Sequence, residues 1–387
     1  MEIDREYLRN TLRILISINS INPNLVSGAP GEGDIAHFIA TEIERMGIEP
    51  VKEQISLNRF NVSGTISGTG GGKSLLLNAH IDTVGVEGMS EPFSAKEYNG
   101  RLYGRGALDM KGGAAAILGA AKVIKDQAIT LKGDLLLTFV ADEEYGSIGT
   151  EALLKDIHAD AAIVTEPTNL AICTAHKGFA LFEIETKGVA AHGSGYQGGV
   201  DANTHMARIA VELEKLQGRL YREKKHPLLG SPTIHIPLIS GGTQLFMYSS
   251  RCTMKVERRT LPGETEEDVL NEISRIIKDL KEIDSTFEAN SKLEILRNPF
   301  CASDDSRIVQ EVEKILSNVI GMPPSYIGHH WWEDSALFSE AGIDTVIIGP
   351  KGEGLHQKVE WVDIQSVENL ASILALTAIS YCGEHKA

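Results

Sequence analysis

The stretch SLLLNAHID at residues 74–82 decides the fold class of this chain. It is a short apolar run that leads directly into a histidine and an aspartate. A second run, DLLLTFVADEE at 134–144, leads into acidic residues, and an alanine-rich segment at 112–124 separates the two runs. Nearly continuous apolar runs of this length are typical of strands buried on both faces of a sheet, and the segment between them suits a buried helix. This order predicts an α/β domain.

The flanking sequence extends the α/β pattern in both directions. Apolar residues at helical spacing predict helices at 3–18, 35–46 and 308–319. Further short apolar runs at 161–164 and 345–348 predict buried strands. We therefore expect a mostly parallel sheet that is flanked by helices.

The middle of the chain follows a different pattern and predicts a second domain. Alternating apolar and polar residues predict strands with one face in water, and amphipathic segments between them predict helices. The resulting order is β-α-β-β-α-β, a ferredoxin-like α+β arrangement. We expect this domain at 178–297, inserted into a first domain formed by 1–177 and 298–387. The predicted segments are 180–187, 201–216, 233–238, 251–258, 264–280 and 292–296.

The composition of the 387-residue chain excludes several classes of protein. Its 37 Lys and Arg against 53 Asp and Glu give a net charge of −16, which disfavours nucleic acids and anionic membranes as partners. No apolar stretch approaches the roughly 20 residues of a spanning helix, and the opening MEIDREYLRN is not expected to be a signal peptide. The 4 cysteines form no CxxC pair, so we expect a reducing, cytoplasmic location.

Histidines and carboxylates follow several of the predicted strands. His80 and Asp82 stand two residues apart on an extended chain and so face the same side, as a metal ligand and its orienting partner would. Glu166 follows the strand at 161–164, and His356 follows the strand at 345–348 after a glycine-rich loop. Taken singly, each of these residues could have a purely structural role, for example as a hydrogen-bonded histidine in the core.

Two further acidic segments belong to the same set. Asp109 lies on a loop just before the predicted helix at 112–124, where an N-cap is the plain alternative. Glu143 and Glu144 lie in a run of three acidic residues that would repel one another unless they are solvated or bind a divalent cation.

The joint arrangement of these residues predicts a metal centre. In a parallel sheet the carboxyl ends of the strands lie at one edge, where ligands bind. Histidine and carboxylate ligands without cysteine suit Zn²⁺, Co²⁺ or Mn²⁺. There are too many carboxylates for one tetrahedral ion, which indicates two ions that share a bridging ligand.

These motifs together resemble the M20 family of dizinc metallopeptidases, which includes acetylornithine deacetylase, succinyl-diaminopimelate desuccinylase and aminoacylase. The resemblance covers nearly the whole chain, and the set is specific although no single motif is. The motifs are His80-x-Asp82, Gly104-Arg105-Gly106-x-x-Asp109-Met110-Lys111-Gly112, Glu143-Glu144, Glu166-Pro167 and His356.

The resemblance implies a ligand set for two zinc ions. His80 and Glu166 would hold one ion, and Glu144 and His356 would hold the other. Asp109 would bridge both, and in the family the peptide bond after this aspartate is often cis.

The resemblance also implies roles for four residues outside the ligand set. Asp82 would hydrogen-bond His80 and set its tautomer, and Glu143 would be the general base. His192, in Ala191–Ser194 of the inserted lid domain, would reach the active site of a partner subunit in a homodimer and stabilise the oxyanion. Arg259 would contact the substrate carboxylate. The alternatives are a surface histidine at His192 and a structural ion pair at Arg259.

One departure from the family pattern concerns the loop at 243–250. Phe246 stands where an asparagine that helps to bind substrate is expected, so Phe246, Met247 and Tyr248 would form an apolar pocket wall instead.

We interpret the chain as a metal-dependent hydrolase that removes the acyl group of an N-acyl amino acid, most like acetylornithine deacetylase. Within the same family the alternatives are a succinyl-diaminopimelate desuccinylase and a metallo-exopeptidase or dipeptidase. From a different class, the chain could be a catalytically silent metal-binding relative. The presence of Glu143 disfavours that class, because a protein that only binds metal needs no base there.

Overall fold

The computed structural model of the chain describes residues 2–195 and 197–385, which fall into two units. Unit 1 is formed by Met1–Thr174, Ala302–Ile327 and Glu333–Ala387. Unit 2 is formed by Ala175–Cys301 and Gly328–Trp332. The catalytic and lid roles that the sequence suggests for the two domains stay predictions.

Regular elements cover most of the chain. The helices are α1 (Arg5–Ser17), α2 (Gly33–Arg45), α3 (Gly112–Asp126), α4 (Ile148–Asp156), α5 (Ala202–Glu223), α6 (Glu266–Ile283), α7 (Arg307–Ile320), α8 (Ser335–Glu340) and α9 (Ile364–Cys382). The strands are β1 (Pro50–Ser56), β2 (Arg59–Ile66), β3 (Leu75–His80), β4 (Lys96–Tyr98), β5 (Arg101–Tyr103), β6 (Leu135–Val140), β7 (Ala161–Val164), β8 (Ile172–His176), β9 (Gly178–Lys187), β10 (Thr233–Gly241), β11 (Arg251–Thr260), β12 (Glu288–Arg297), β13 (Phe300–Cys301), β14 (Tyr326–His329), β15 (Asp344–Ile347), β16 (Gly352–Glu353) and β17 (Trp361–Asp363).

The main sheet of unit 1 is parallel at its centre. Its strand order runs β1-β2-β6-β3-β7-β15-β8, and every residue of β3 is buried. β3 pairs in parallel with β6 and β7, and β15 pairs in parallel with β7. The predicted mixed α/β fold with a mostly parallel sheet is therefore confirmed, and it places the ends of β3, β6 and β7 side by side.

The flanks of this sheet differ from the sequence prediction. β1 and β2 were not predicted, and they add an antiparallel hairpin next to β6. β1 carries mostly exposed side chains, because it is an edge strand. Such a strand needs neither a continuous apolar run nor a strict alternation, so the patterns used above cannot detect it.

Helices α1, α3 and α9 pack together in the core of unit 1. α3 is buried along nearly its whole length, in keeping with its many alanines. Gly119 of α3 lies close to α1, since a Cβ there would lie 2.8 Å from Leu8 Cδ1 and the leucine side chain would have to shift. A small sheet of order β16-β17-β5-β4 pairs residues 101–103 of β5 with residues 361–363 of β17.

Unit 2 contains an antiparallel sheet with two helices. Its strand order is β10-β11-β9-β12, and the chain order β9-α5-β10-β11-α6-β12 is the predicted one. The apolar sides of α5 and α6 pack with the sheet in a core of their own. A capping box fixes the start of α6, since Thr265 and Asp268 exchange side-chain and backbone hydrogen bonds.

Among the described residues no helix combines the length and the apolar character that crossing a bilayer requires.

Candidate metal centre

The ends of three parallel strands bring a histidine and two glutamates together in unit 1. His80 is the last residue of β3, while Glu143 follows β6 and Glu166 follows β7. Because β3 lies between β6 and β7 in parallel register, these residues meet at one edge of the sheet. His80 Nε2 lies 3.5 Å from Glu166 Oε1 and 4.0 Å from Glu143 Oε2.

Asp109 joins this group to a second one. It lies in an irregular turn at Ala107–Lys111, and its peptide bond to Met110 is cis. Its Oδ1 is 3.0 Å from Nε2 of His80, and its Oδ2 is 3.1 Å from Nε2 of His356. His356 Nε2 is also 3.0 Å from Glu144 Oε2. Two histidines thus share one aspartate, each through a different oxygen.

The arrangement fits two divalent ions. One half offers His80, Glu166 and Asp109 Oδ1, and the other offers His356, Glu144 and Asp109 Oδ2. Glu144 Oε1 is buried without a hydrogen-bond partner among the described residues. This is the state expected of an oxygen that coordinates a cation when metal is bound. Nitrogen and oxygen donors in this mixture suit Zn²⁺ and similar ions.

Three buried glutamates of the centre have raised pKa values, which means that their surroundings disfavour the charged carboxylates. Burial raises the pKa of Glu144 to about 7 and holds the pKa values of Glu143 and Glu166 well above the ordinary range. Neighbouring carboxylates add to the effect. A bound cation would stabilise the charged forms of all three, so the electrostatics favour metal binding at this position.

The same carboxylates stabilise the protonated, positively charged forms of the two histidines. Hydrogen bonds to Asp109 and Glu144 raise the pKa of His356 to about 10. Burial opposes the charged form of His80, but its hydrogen bonds to Asp109 and Asp82 outweigh burial and raise its pKa. Without metal, protons on these rings therefore supply the positive charge.

Asp82 contacts more than the ring of His80. His80 Nδ1 is 3.0 Å from the backbone oxygen of Asp82 and 3.5 Å from its Oδ1, so the carbonyl is the nearer acceptor. The Asp82 carboxylate accepts the backbone N–H groups of Glu143 at 3.1 Å and Glu144 at 3.2 Å. Asp82 thus holds both the histidine and the acidic turn, and its predicted effect on the tautomer stays a prediction.

Comparison with known proteins identifies the family. The family model described as Peptidase family M20/M25/M40 matches residues 76–380, which is most of the chain. The chain belongs to this family. As a member of it, this M20 protein is a metal-dependent hydrolase.

Similar proteins span nearly its full length. An acetylornithine deacetylase from Myxococcus xanthus is 29% identical over 387 residues, covering 97% of this chain and 98% of the relative. An N-formyl-4-amino-5-aminomethyl-2-methylpyrimidine deformylase from Bacillus subtilis is 28% identical, covering 100% of this chain and 97% of the relative.

Solved structures show the same fold. The aminopeptidase PepT from Bacillus cereus has a TM-score of 0.81 at 20% identity and covers 98% of this chain and 100% of its own. A dinuclear metal binding peptidase of the M20 family from Bacillus subtilis has a TM-score of 0.76 at 18% identity, with 97% and 98% covered.

A buried network behind the acidic turn was not predicted from the sequence. Arg59 of β2 donates through Nε and Nη2 to both oxygens of Glu32, at 2.6 and 2.7 Å, and through Nη2 to Asp142 Oδ1 at 2.8 Å. Asn22 Nδ2 bridges Asp142 and Asp82 at 2.9 and 2.8 Å. These contacts join distant parts of the chain, so no local motif signals them.

The remaining predicted site residues belong to unit 2. His192 is exposed, and its Nδ1 is 2.8 Å from Ser194 Oγ. Arg259 pairs with Glu257 at 2.5 Å, and its guanidinium lies 5.3 Å from the centre of the Phe179 ring. These contacts match the ion-pair alternative for Arg259, while its contact with substrate stays a prediction.

The loop that departs from the family pattern lies against the His192 loop. Gly193 N–H donates to the Phe246 carbonyl at 2.7 Å, and Tyr248 N–H donates to the Ala191 carbonyl at 2.9 Å. Phe246 itself is 74% exposed, so its ring is available to an external ligand.

We expect Arg59→Met to destabilise the metal-free protein by about 3–5 kcal/mol, because it leaves Glu32 and Asp142 buried without their cation. Urea unfolding followed by circular dichroism measures this loss. Arg13→Met is the matched control, since Arg13 forms an exposed ion pair with Glu97 that contributes less than about 1 kcal/mol. An equal loss in both variants would contradict the role of the network.

Proposed function

We propose that this M20 protein hydrolyses the amide bond of N-acyl amino acids with two zinc ions bound. The observation that carries the proposal is the position of Asp109, whose two oxygens lie within 3.1 Å of two different histidines. A carboxylate between two imidazoles has the geometry of a bridging ligand.

In this proposal each ion has three protein ligands. His80, Glu166 and Asp109 would hold one ion, and His356, Glu144 and Asp109 would hold the other. Zinc agrees with the nitrogen and oxygen donors and with open positions for water and substrate. The same donors also accept Co²⁺ or Mn²⁺.

When bound, the ions would polarise the substrate carbonyl and acidify a water molecule. Glu143 is the proposed general base, since its Oε2 lies beside the donor cluster, 4.0 Å from His80 Nε2. Its carboxylate accepts the proton of the attacking water and then donates it to the leaving nitrogen.

A small N-acyl compound is the proposed substrate. The two relatives described above are named as a deacetylase and a deformylase, and both names describe removal of a small acyl group. A desuccinylase or an exopeptidase of the same family is the second candidate. The 4 cysteines are scattered and form no CxxC pair, which fits a reducing cytoplasm, the location that we propose.

A hydrolysis panel tests the substrate class. We expect the zinc-loaded protein to cleave N-acetyl amino acids faster than N-succinyl compounds or dipeptides, as measured by amine release. A chelator should abolish the activity, and added zinc should restore it. Glu143→Gln should lose roughly 10²–10⁴-fold in kcat while metal content is retained. Metal binding without any hydrolysis would favour the catalytically silent alternative.

We expect metal uptake to release protons. In the metal-free protein His356 has a pKa of about 10, so it is protonated at neutral pH, but a metal ligand must be neutral. Zinc affinity should therefore rise with pH between about 6 and 8, by about tenfold per pH unit for each proton released. Calorimetry in buffers of different ionisation enthalpy measures this release.

The His356→Ala variant is the control for this measurement. It should bind less zinc than the wild type and release about one proton fewer, because one protonated ring has been removed. Equal metal content and equal proton release in the two proteins would show that His356 is not a ligand.

We further propose a homodimer formed through unit 2, in which His192 acts in the partner's active site. β10 is an edge strand of the unit 2 sheet, and its Leu238 and Ile239 are 66% and 57% exposed. An apolar edge strand can pair with its two-fold mate and remove both edges from solvent.

Mixing inactive subunits tests the role of His192. Glu143→Gln subunits are combined with His192→Ala subunits under conditions that allow exchange. We expect activity to return, since a mixed dimer has one site with Glu143 and the partner's intact His192. Heterodimers that form but stay inactive would contradict action in trans, and a fully active monomer would contradict the dimer itself.

A further inference from the structure

The two halves of the metal centre are supported in different ways. His80 ends the central strand β3, and its side chain is only 1% exposed. The side chain of His356 is 53% exposed, and the residue has a left-handed φ of 57° in the loop between β16 and β17. An exposed ligand in a loop needs another structure to hold it in place.

The carboxylate of Glu360, at the end of this loop, lies in a cradle of donors. Its Oε1 accepts the backbone N–H groups of Leu108 at 2.9 Å and Asp109 at 3.2 Å. Its Oε2 accepts Gly106 N–H at 3.1 Å and Arg105 Nη1 at 2.5 Å. Backbone N–H groups that converge in this way form an anion-binding nest, and here the anion comes from the His356 loop.

Arg105 extends the contact to two more segments. Its Nη2 donates to the carbonyl of Gln357, the residue after His356, at 3.1 Å. Its Nε donates to the carbonyl of Gly85 at 3.0 Å, in the segment that follows β3. Both Arg105 and Glu360 are buried, so water does not compete for these bonds.

We propose that Arg105 and Glu360 form a clamp that holds His356 against Asp109 and sets the affinity of the ion these two residues share. The inference rests on the two-metal function proposed above. Neither His80 nor Glu166, both in the described part of the chain, hydrogen-bonds to Arg105 or Glu360. The clamp residues are positioning residues. Among the described ligand residues, the half that contains His80 is linked to them through Asp109 alone, whereas the other half is linked through both Asp109 and the His356 loop, so it depends on them more.

Metal titration tests the clamp. Wild-type and variant proteins are freed of metal and titrated with Zn²⁺ against a chromophoric chelator. In Glu360→Gln we expect the Kd of one ion to rise by about 10–100-fold, while the other changes by less than about threefold. In Arg105→Lys the Kd of this ion should lie between the values of the wild type and Glu360→Gln. Lysine keeps the positive charge but lacks the several N–H donors of the guanidinium group.

Glu368→Gln is the matched control for this titration. Glu368 is a buried carboxylate of α9 in the same unit, and it pairs with Arg5 and Arg9 at 3.4 and 3.5 Å. This substitution should leave both zinc affinities unchanged. Equal weakening of both ions in Glu360→Gln, or of neither ion, would overturn the proposal.

Hydrogen exchange of the metal-free proteins separates the clamp from the two-metal function. Backbone amides in 104–109 and 354–360 should exchange at least about tenfold faster in Glu360→Gln and at the wild-type rate in Glu368→Gln. Unchanged exchange in Glu360→Gln would overturn the clamp. A wild type that binds fewer than two ions, with faster exchange in Glu360→Gln, would contradict the two-metal function and support the clamp.

Discussion

Repulsion between buried carboxylates at one edge of a parallel sheet is the constraint on which the rest of unit 1 depends. Glu143 and Glu166 follow the two strands on either side of β3, and Asp109 lies near His80 in a separate turn. Burial makes their negative charge costly, as the raised pKa values of the two glutamates show. Divalent cations would lower this cost, so metal binding would stabilise the charged form of the site.

Buried arginines keep the surrounding acidic residues in place. Arg59 bonds to Glu32 and Asp142, and Arg105 bonds to Glu360. Each arginine spreads its donors over more than one segment of the chain. A buried ion pair stabilises a structure only when its geometry is well satisfied, and these bidentate or multiple contacts meet that condition.

The shared chemistry of the family leaves the choice of substrate to other parts of the chain. Similar proteins include a deacetylase, a deformylase and an aminopeptidase, so the same fold accompanies different leaving groups. Unit 2 carries the loop with the exposed Phe246, which is bonded through its backbone to the His192 loop. The apolar pocket wall that the sequence predicts for Phe246 stays a prediction.

The sequence by itself determined the central strands and the buried helix between them, and it predicted the residues of the candidate metal centre. These features follow from local patterns, because the nearly continuous apolar run at 74–79 indicates a buried strand and the residue after it, His80, lies at the sheet edge. Only the tertiary structure revealed β1 and β2, Arg59 and the Arg105–Glu360 pair. An exposed edge strand has no apolar signature, and Glu360 meets Arg105 across 255 residues of chain. Long-range contacts of this kind are set by how the strands are arranged in space, which local spacing does not encode.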